Sequence, residues 1–384
     1  MYLKISKDRL VSMLNVIQNA VSSKVTVQTL NNFFISIKGS EVHLAATDLE
    51  IFVEGKFDLG GVIKEGKEKI ELQNGECTVP AKRFIDMVRD QESGKMIEVK
   101  LLEGFKIDVK CGRSHFNLPG FSIKEYPSSL EFPKNKVITV KADMLKYMIE
   151  KTIFAISRDD IRYALNGVFF VIEKNTLKLV STDSRRLAFV SGDIEAGKFS
   201  SSAIIPHKSL NELLRLIELS GAEEVKIGLS DNQVSFKLNE ITLSSRLVDG
   251  EFPNYERVIP KGLSLSVNMK SRDLLQSLKQ LQFLVQDSTI VKFHLKKGLL
   301  VLSLSVEGLG QGEVEVDVDY REKPLEIAFH YSAIVEYLKV LKDAEIKFDL
   351  SSAVTPVMFS VTSSPDTVAS IKEYRYIVMP IRND

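Results

Sequence analysis

The chain has 384 residues, 44% of them hydrophobic and 27% charged, with 51 Lys plus Arg balancing 51 Asp plus Glu. That length allows about two or three domains with ample core, at roughly 100–200 residues each. The composition excludes a disordered chain, a collagen-like fibre and a uniformly basic nucleic-acid coat, and the zero net charge argues against partner choice by bulk electrostatics.

The sequence opens Met1-Tyr2-Leu3-Lys4 on an alternating strand pattern, without a basic segment leading into an apolar one, so no signal peptide is expected. With no run of about 18 apolar residues, no membrane span is expected either, and the expected setting is cytoplasmic. Leu10, Met13, Leu14 and Ile17 follow the i, i+3, i+4, i+7 spacing of an amphipathic helix. A shorter stripe at Phe84, Met87 and Val88 predicts a second helix. Cys77 and Cys111 are the only cysteines. Such a pair supplies neither a disulfide framework nor a metal knuckle, and two free, buried thiols are expected.

Leu145, Met148, Ile149 and Ile153 predict a third helix, followed by period-2 runs at 168–172 and 177–180 that read as strands. Leu210, Leu213, Leu214 and Ile217 predict a fourth helix, and 234–238 a further strand. Leu274, Leu278 and Leu281 give a fifth helix, 314–318 a strand, and Ile334, Tyr337, Leu338 and Leu341 a sixth helix.

These elements recur at fixed intervals. Asp8 to Asp143 is 135 residues, as is Thr47-Asp48 to Thr182-Asp183; Pro80 to Pro206 is 126, as is Tyr126-Pro127 to Phe252-Pro253; Asp143 to Asp273 is 130. The chain is therefore three copies of one unit, each with two helices and about eight strands, an α+β arrangement of helices packed on antiparallel sheets. The nine residues by which the first two copies differ point to the charged stretch 60–67 as an insertion. Proline-bearing links are expected at 126–136 and 258–263.

No catalytic constellation emerges. The histidines at 43, 115, 207, 294 and 330 lack metal-ligand spacing, and no G-x-S-x-G elbow is present. The glycines of 308–312 have the wrong spacing for a phosphate loop and predict a flexible hairpin turn. Three stretches remain. Ser181-Thr182-Asp183-Ser184-Arg185-Arg186-Leu187 is either a turn capped by Asp183 with solvated arginines or a rim that captures a polar peptide group. Residues 374–382 read as a final edge strand, broken at Met379-Pro380, or as an adaptable apolar surface. Residues 247–260 are the third.

Together these stretches resemble the bacterial sliding clamps, the beta subunits of the replicative DNA polymerase III holoenzyme. The segment T-D-[GS]-[HR]-R-L matches Thr182 to Leu187, L-[IV]-D-G-x-F-P-x-Y-x-x-[VL]-[IL]-P matches Leu247 to Pro260, and V-M-P-[MIV]-R matches Val378 to Arg382. R-Y-x-L-N-G appears at 162–167 and T-D-L-E-[IM] at 47–51, in the family's order.

The resemblance implies three clamp domains, at 1–131, 137–260 and 262–384, and a head-to-tail homodimer closed into a six-domain ring. Twelve helices, each about 10 Å wide, would line a hole on the order of 28 Å across, enough for duplex DNA held by topology rather than base readout. The six helical stretches sum to +6 against −6 elsewhere. Implied DNA contacts are Lys24, Arg83, Arg158 and Tyr163, although the loop 25–30 and residues 158, 159 and 164 depart from the family pattern. One groove for Q-x-x-L-F type peptides, from the DNA polymerase III alpha subunit, the ATP-dependent clamp loader and other polymerases and repair proteins, is implied between the second and third domains, built from three sets of residues. Leu165, Thr182, Ser184, Arg185, Arg186 and Leu187 form one. Pro253, Arg257, Val258 and Pro356 form the next, and Ile377, Val378, Met379, Pro380, Ile381 and Arg382 the last. Ser184-Arg185 replaces the commoner Gly-His. The resemblance implies no catalysis, cofactor, metal or membrane. Two other expectations compete with it: an enzyme holding a phosphorylated ligand at Arg185-Arg186, and a triplicated peptide scaffold without a DNA partner.

Overall fold

The computed structural model of the protein describes residues 1–22, 28–66, 68–159, 161–195, 199–286, 289–366 and 368–382. The first third runs β1 (Tyr2–Ser6), α1 (Lys7–Ile17), β2 (Asn32–Lys38), β3 (Glu41–Thr47), β4 (Ile51–Asp58) and α2 (Gly60–Glu65). It continues through β5 (Glu71–Gln73), β6 (Gly75–Pro80), α3 (Ala81–Arg89), β7 (Met96–Leu101), β8 (Lys106–Cys111) and β9 (Ser114–Pro119). The middle third holds β10 (Val137–Lys141), α4 (Ala142–Glu150), β11 (Gly167–Glu173), β12 (Thr176–Thr182) and β13 (Arg186–Asp193). It ends with β14 (Ser201–Pro206), α5 (His207–Ser220), β15 (Glu224–Leu229), β16 (Gln233–Leu238) and β17 (Ile241–Arg246). The last third repeats that order: β18 (Leu265–Lys270), α6 (Ser271–Gln280), β19 (Ile290–Lys296), β20 (Leu299–Val306) and β21 (Gly310–Asp317). Then come β22 (Leu325–His330), α7 (Tyr331–Lys339), β23 (Glu345–Leu350), β24 (Val357–Ser363) and β25 (Ile371–Val378).

The six expected helices are present, and the inserted stretch supplies a seventh among the described residues, the short α2. Its left-handed Gly66 (φ +65°) ends the helix, as glycine at that position commonly does. The glycines of 308–312 are only partly a turn. Gly310 to Gly312 already belong to β21, and a Cβ on Gly312 would lie 2.9 Å from Leu281, so glycine serves close strand–helix approach there.

The chain forms two compact units, residues 1–139 with 211–246 and residues 140–210 with 247–384. In the first, a five-stranded sheet (β5-β1-β7-β8-β9) and an eight-stranded sheet (β10-β15-β16-β17-β4-β3-β2-β6) enclose the core. Leu10, Met13, Leu14 and Ile17 of α1 are buried, each contributing about 1.5–3 kcal/mol by leaving water. Phe33 and Phe84 meet at 5.4 Å. Arg215 donates to the carbonyls of Asn15 and Val16 at 2.7 and 2.9 Å, satisfying acceptors that the end of α1 leaves open. Cys77 and Cys111 are free and buried, and burial pushes the Cys77 thiol up to about 12.

In the second unit, an eight-stranded sheet (β14-β11-β12-β13-β25-β24-β23-β18) and a four-stranded sheet (β21-β20-β19-β22) carry the core. Phe348 stacks on Phe359 at 4.6 Å and Tyr337 on Tyr376 at 4.5 Å. The C-terminal strand β25 is not an edge: it lies between β13 and β24. Lys151 is buried. It follows the last residue of α4, donates to Asp366 at 3.0 Å and to the Val340 carbonyl, and lies 4.7 Å from the Tyr147 ring.

Burial alone would raise the Asp366 carboxyl. Hydrogen bonds from Ser364 and Lys151 outweigh it and hold the pKa below the ordinary value. A depressed carboxylate contributes stability above its unfolded pKa of about 3.9 and loses it as pH falls. Breaking a buried pair costs about 3–5 kcal/mol, less where one partner keeps an exposed edge; the Asp366 side chain is 17% exposed. Asp366→Asn should therefore cost about 2 kcal/mol at pH 7 in urea unfolding and flatten the acid limb of the stability curve.

Candidate functional site

The turn between β12 and β13 is built by two side chains. Thr182 Oγ1 donates to the Arg186 carbonyl at 2.6 Å and accepts from the Ser184 N–H at 3.1 Å. Asp183 Oδ1 accepts from the N–H groups of Arg185 and Arg186 at 2.9 and 3.0 Å, the local bonding that favours Asp in turns. Ser184 sits at φ +76°, a left-handed position that otherwise favours glycine.

Adjacent arginines leave this turn in different directions. Arg186, whose side chain is 12% exposed, donates to Asp183 at 2.9 Å, to Glu336 at 2.6 Å and to the Phe154 carbonyl at 2.9 Å. Burial works against its charge, but Tyr376, Glu336 and Asp183 outweigh it and raise its pKa. The expected capped turn is there, whereas Arg186 is locked into the interior rather than solvated. Arg185 is exposed, lies 3.3 Å from His330 Nε2, and offers its carbonyl to the Met379 N–H at 2.8 Å. Burial pushes the His330 imidazole pKa down, the Arg185 cation adds to that, and Asp183 partly offsets it.

The segment after Leu247 reaches the same place. Phe252 is buried and stacks on Phe169 at 4.7 Å, which anchors Pro253, Asn254 and the short 3-10 turn Tyr255–Arg257. Between this segment, the Thr182 turn and the end of β25 lies a cavity of about 200 Å³. Leu187, Ile377, Pro253, Val258 and Met379 give it apolar walls, and Thr182, Ser184, Arg185 and Arg186 lie on its polar side. Val258 and Met379 are 49% and 44% exposed, although both are apolar. Leu165 packs beneath in the cluster that holds Leu187, Phe252 and Ile377.

Family profiles match along the chain: the N-terminal domain of the DNA polymerase III beta subunit over residues 1–131, its central domain over 139–254 and its C-terminal domain over 256–381. The chain belongs to the DNA polymerase III beta subunit family. Beta sliding clamps of Pseudomonas putida and Pseudomonas aeruginosa are each 30% identical over the full length of both chains, and that of Escherichia coli is 27% identical over 98% of this chain and 99% of its own. The crystal structure of a Pseudomonas aeruginosa sliding clamp bound to griselimycin superposes with a TM-score of 0.90 at 29% identity, and that of the Bacillus subtilis clamp with 0.90 at 26%; both cover 100% of each chain. The protein thus has the three-domain α+β fold of a DNA polymerase III sliding clamp, a replication protein. The central profile is divided between the two compact units because β17 pairs with β4 in one and β13 with β25 in the other.

Within this clamp the remaining expected groove residues lie around the cavity rather than on its walls. Arg257 is exposed beside Val258, and Pro356 immediately precedes β24. Val378 is buried opposite Arg186 and Val357. Pro380 is half-buried, Ile381 donates its N–H to the Ala328 carbonyl at 2.8 Å, and Arg382 is exposed. Asn254 and Tyr255 line the cavity and were missed, although Tyr255 stands at the fixed Tyr of the F-P-x-Y pattern. Of the expected DNA contacts, Lys24 lies outside the described residues. Arg83 is exposed on α3 in the first unit; Arg158 and Tyr163, the latter 69% exposed, share the loop before β11 in the second. Among the described residues no three or more of His, Cys, Asp and Glu are grouped to hold a metal, and no helix is long and apolar enough to cross a membrane.

The two arginines should separate experimentally. Arg186→Ala strips charged partners from Asp183 and Glu336 and should cost about 2–3 kcal/mol in chemical denaturation, whereas Arg185→Ala should stay within about 0.5 kcal/mol.

Proposed function

We propose that this protein works as a homodimeric, non-catalytic processivity ring, with clamp domains at 1–131, 137–260 and 262–384. In this reading it encircles duplex DNA in the cytoplasm without sequence readout, is loaded by an ATP-dependent clamp loader, and tethers the DNA polymerase III alpha subunit and other polymerases and repair proteins through Q-x-x-L-F type peptides. The observation that carries it is the apolar cavity between Leu187, Ile377, Pro253, Val258 and Met379, whose exposed Val258 and Met379 suit a leucine or aromatic anchor. Membership of the clamp family supports DNA and polymerase as the partners.

Head-to-tail closure is supported by two free sheet edges of opposite charge. The edge strand β9, with its neighbour β8, carries Lys106, Lys110, Arg113 and His115 around a single Asp108. The edge strand β21 presents Glu313, Glu315 and Asp317 on its exposed face. An unpaired edge is a template for another strand, and complementary charge fixes the partner and register. For DNA, exposed cations such as Lys82 and Arg83 on α3 and Lys279 on α6 supply phosphate attraction without base contacts.

Truncating the exposed anchor tests the groove. Met379→Ala should weaken a fluorescent Q-x-x-L-F peptide by about tenfold or more in anisotropy titrations while leaving the dimer's sedimentation unchanged. Unchanged peptide affinity would count against the groove.

A further inference from the structure

The triplication copies the groove's frame into the first unit, with one side chain missing. Thr47 Oγ1 donates to the Ile51 carbonyl at 2.7 Å, and Asp48 Oδ1 accepts from the N–H groups of Glu50 and Ile51 at 3.1 Å, bond for bond the Thr182–Arg186 turn. Leu49 takes the left-handed position of Ser184 at φ +75°. The Arg246 N–H donates to Glu50 as that of Met379 does to Arg185. Tyr126 lies over Phe34, at 6.2 Å, where Phe252 lies over Phe169.

Three residues after Phe252, Tyr255 packs its ring against Phe169 and Phe189, at 6.4 and 5.9 Å, with Lys178 near its phenol. By the same 126-residue offset its counterpart is Ser129, and by the 135-residue offset those three neighbours become Phe34, Glu54 and His43. The space that Tyr255 fills in one copy is open in the other. It is a cavity of about 310 Å³ whose lining includes Phe34, His43, Ala45, Phe52, Tyr126 and Ser129. His43 is the polar end of this aromatic-walled pocket, and its Nε2 lies 2.9 Å from the carboxylate of Glu54, a buried residue outside the lining. The pocket's volume is at the small end of ligand pockets, about 300–1,000 Å³, which suits one aromatic side chain rather than a cofactor.

We propose that this pocket receives a tyrosine side chain from a partner protein, seated as Tyr255 is seated in its own copy, with the phenol hydroxyl toward His43. The inference is independent of the groove at Met379.

The test is ligand-observed fluorine NMR of N-acetyl-3-fluorotyrosinamide with the full-length protein, the Met379 groove being saturated with a Q-x-x-L-F peptide. Binding at about 1 mM, the strength expected of a fragment this size, should broaden the resonance, and excess N-acetylalaninamide should not reverse it. Ser129→Tyr supplies the missing ring within the chain and should abolish the broadening while raising the melting temperature. Ser129→Leu, a smaller filling, should also reduce the broadening if the tyrosine variant folds poorly. No broadening with the native protein, broadening that survives both substitutions, or broadening lost when the groove peptide is added would each overturn the proposal.

Discussion

The pairing of β13 with β25 is the constraint on which the second unit depends. Residues Arg186 to Gly192 face Val378 to Ile371 across an antiparallel ladder, although the two strands lie far apart in the chain. The ladder joins strands of the second and third repeats into one eight-stranded sheet. It also sets Leu187 opposite Ile377, which makes the floor of the cavity, and brings the Met379 N–H to the Arg185 carbonyl, which closes its rim. Arg186 and Lys151 then reach Glu336 and Asp366, so charged pairs brace the same joint from within. The first unit solves the same problem with β4 and β17, without the buried arginine, because Ile51 stands where Arg186 does.

Electrostatics follow from placement rather than total. A chain with 51 charges of each sign has no net pull on DNA. Some of the helix cations are spent internally: Lys151 is buried, and Arg9 donates to Glu68 at 2.8 Å. Others stay exposed on α3 and α6. The acidic edge of β21 and the basic hairpin of β8 and β9 concentrate opposite signs at two sheet edges.

Much of the fold was legible because the repeat offsets and helical stripes are local signals. Leu10 to Ile17 and its counterparts fix six helices, and alternation at 168–172 and 177–180 falls inside β11 and β12. What alternation cannot give is a strand's neighbours: β25 looked like a terminal edge because β13, its partner, is remote in sequence. Arg185 and Arg186 looked equivalent because identical neighbours in sequence give no clue that the turn still holds Arg185, while Arg186 opens β13 and finds charged partners in the interior. The short α2 was hidden by Gly60-Gly61, which weakens any helical pattern. Tyr255 was passed over because a lone tyrosine between Pro253 and Pro260 gives no burial signal, and its comparison with Ser129 needed the cavity to be seen.

Encirclement of duplex DNA is the central proposal. The protein should be loaded onto a nicked circular duplex by a clamp loader with ATP and then passed through a sizing column in high salt, which weakens contacts that rest on phosphate attraction alone. It should remain with the circular DNA and leave when one restriction cut linearises the circle. Equal retention on circular and linear DNA would contradict it.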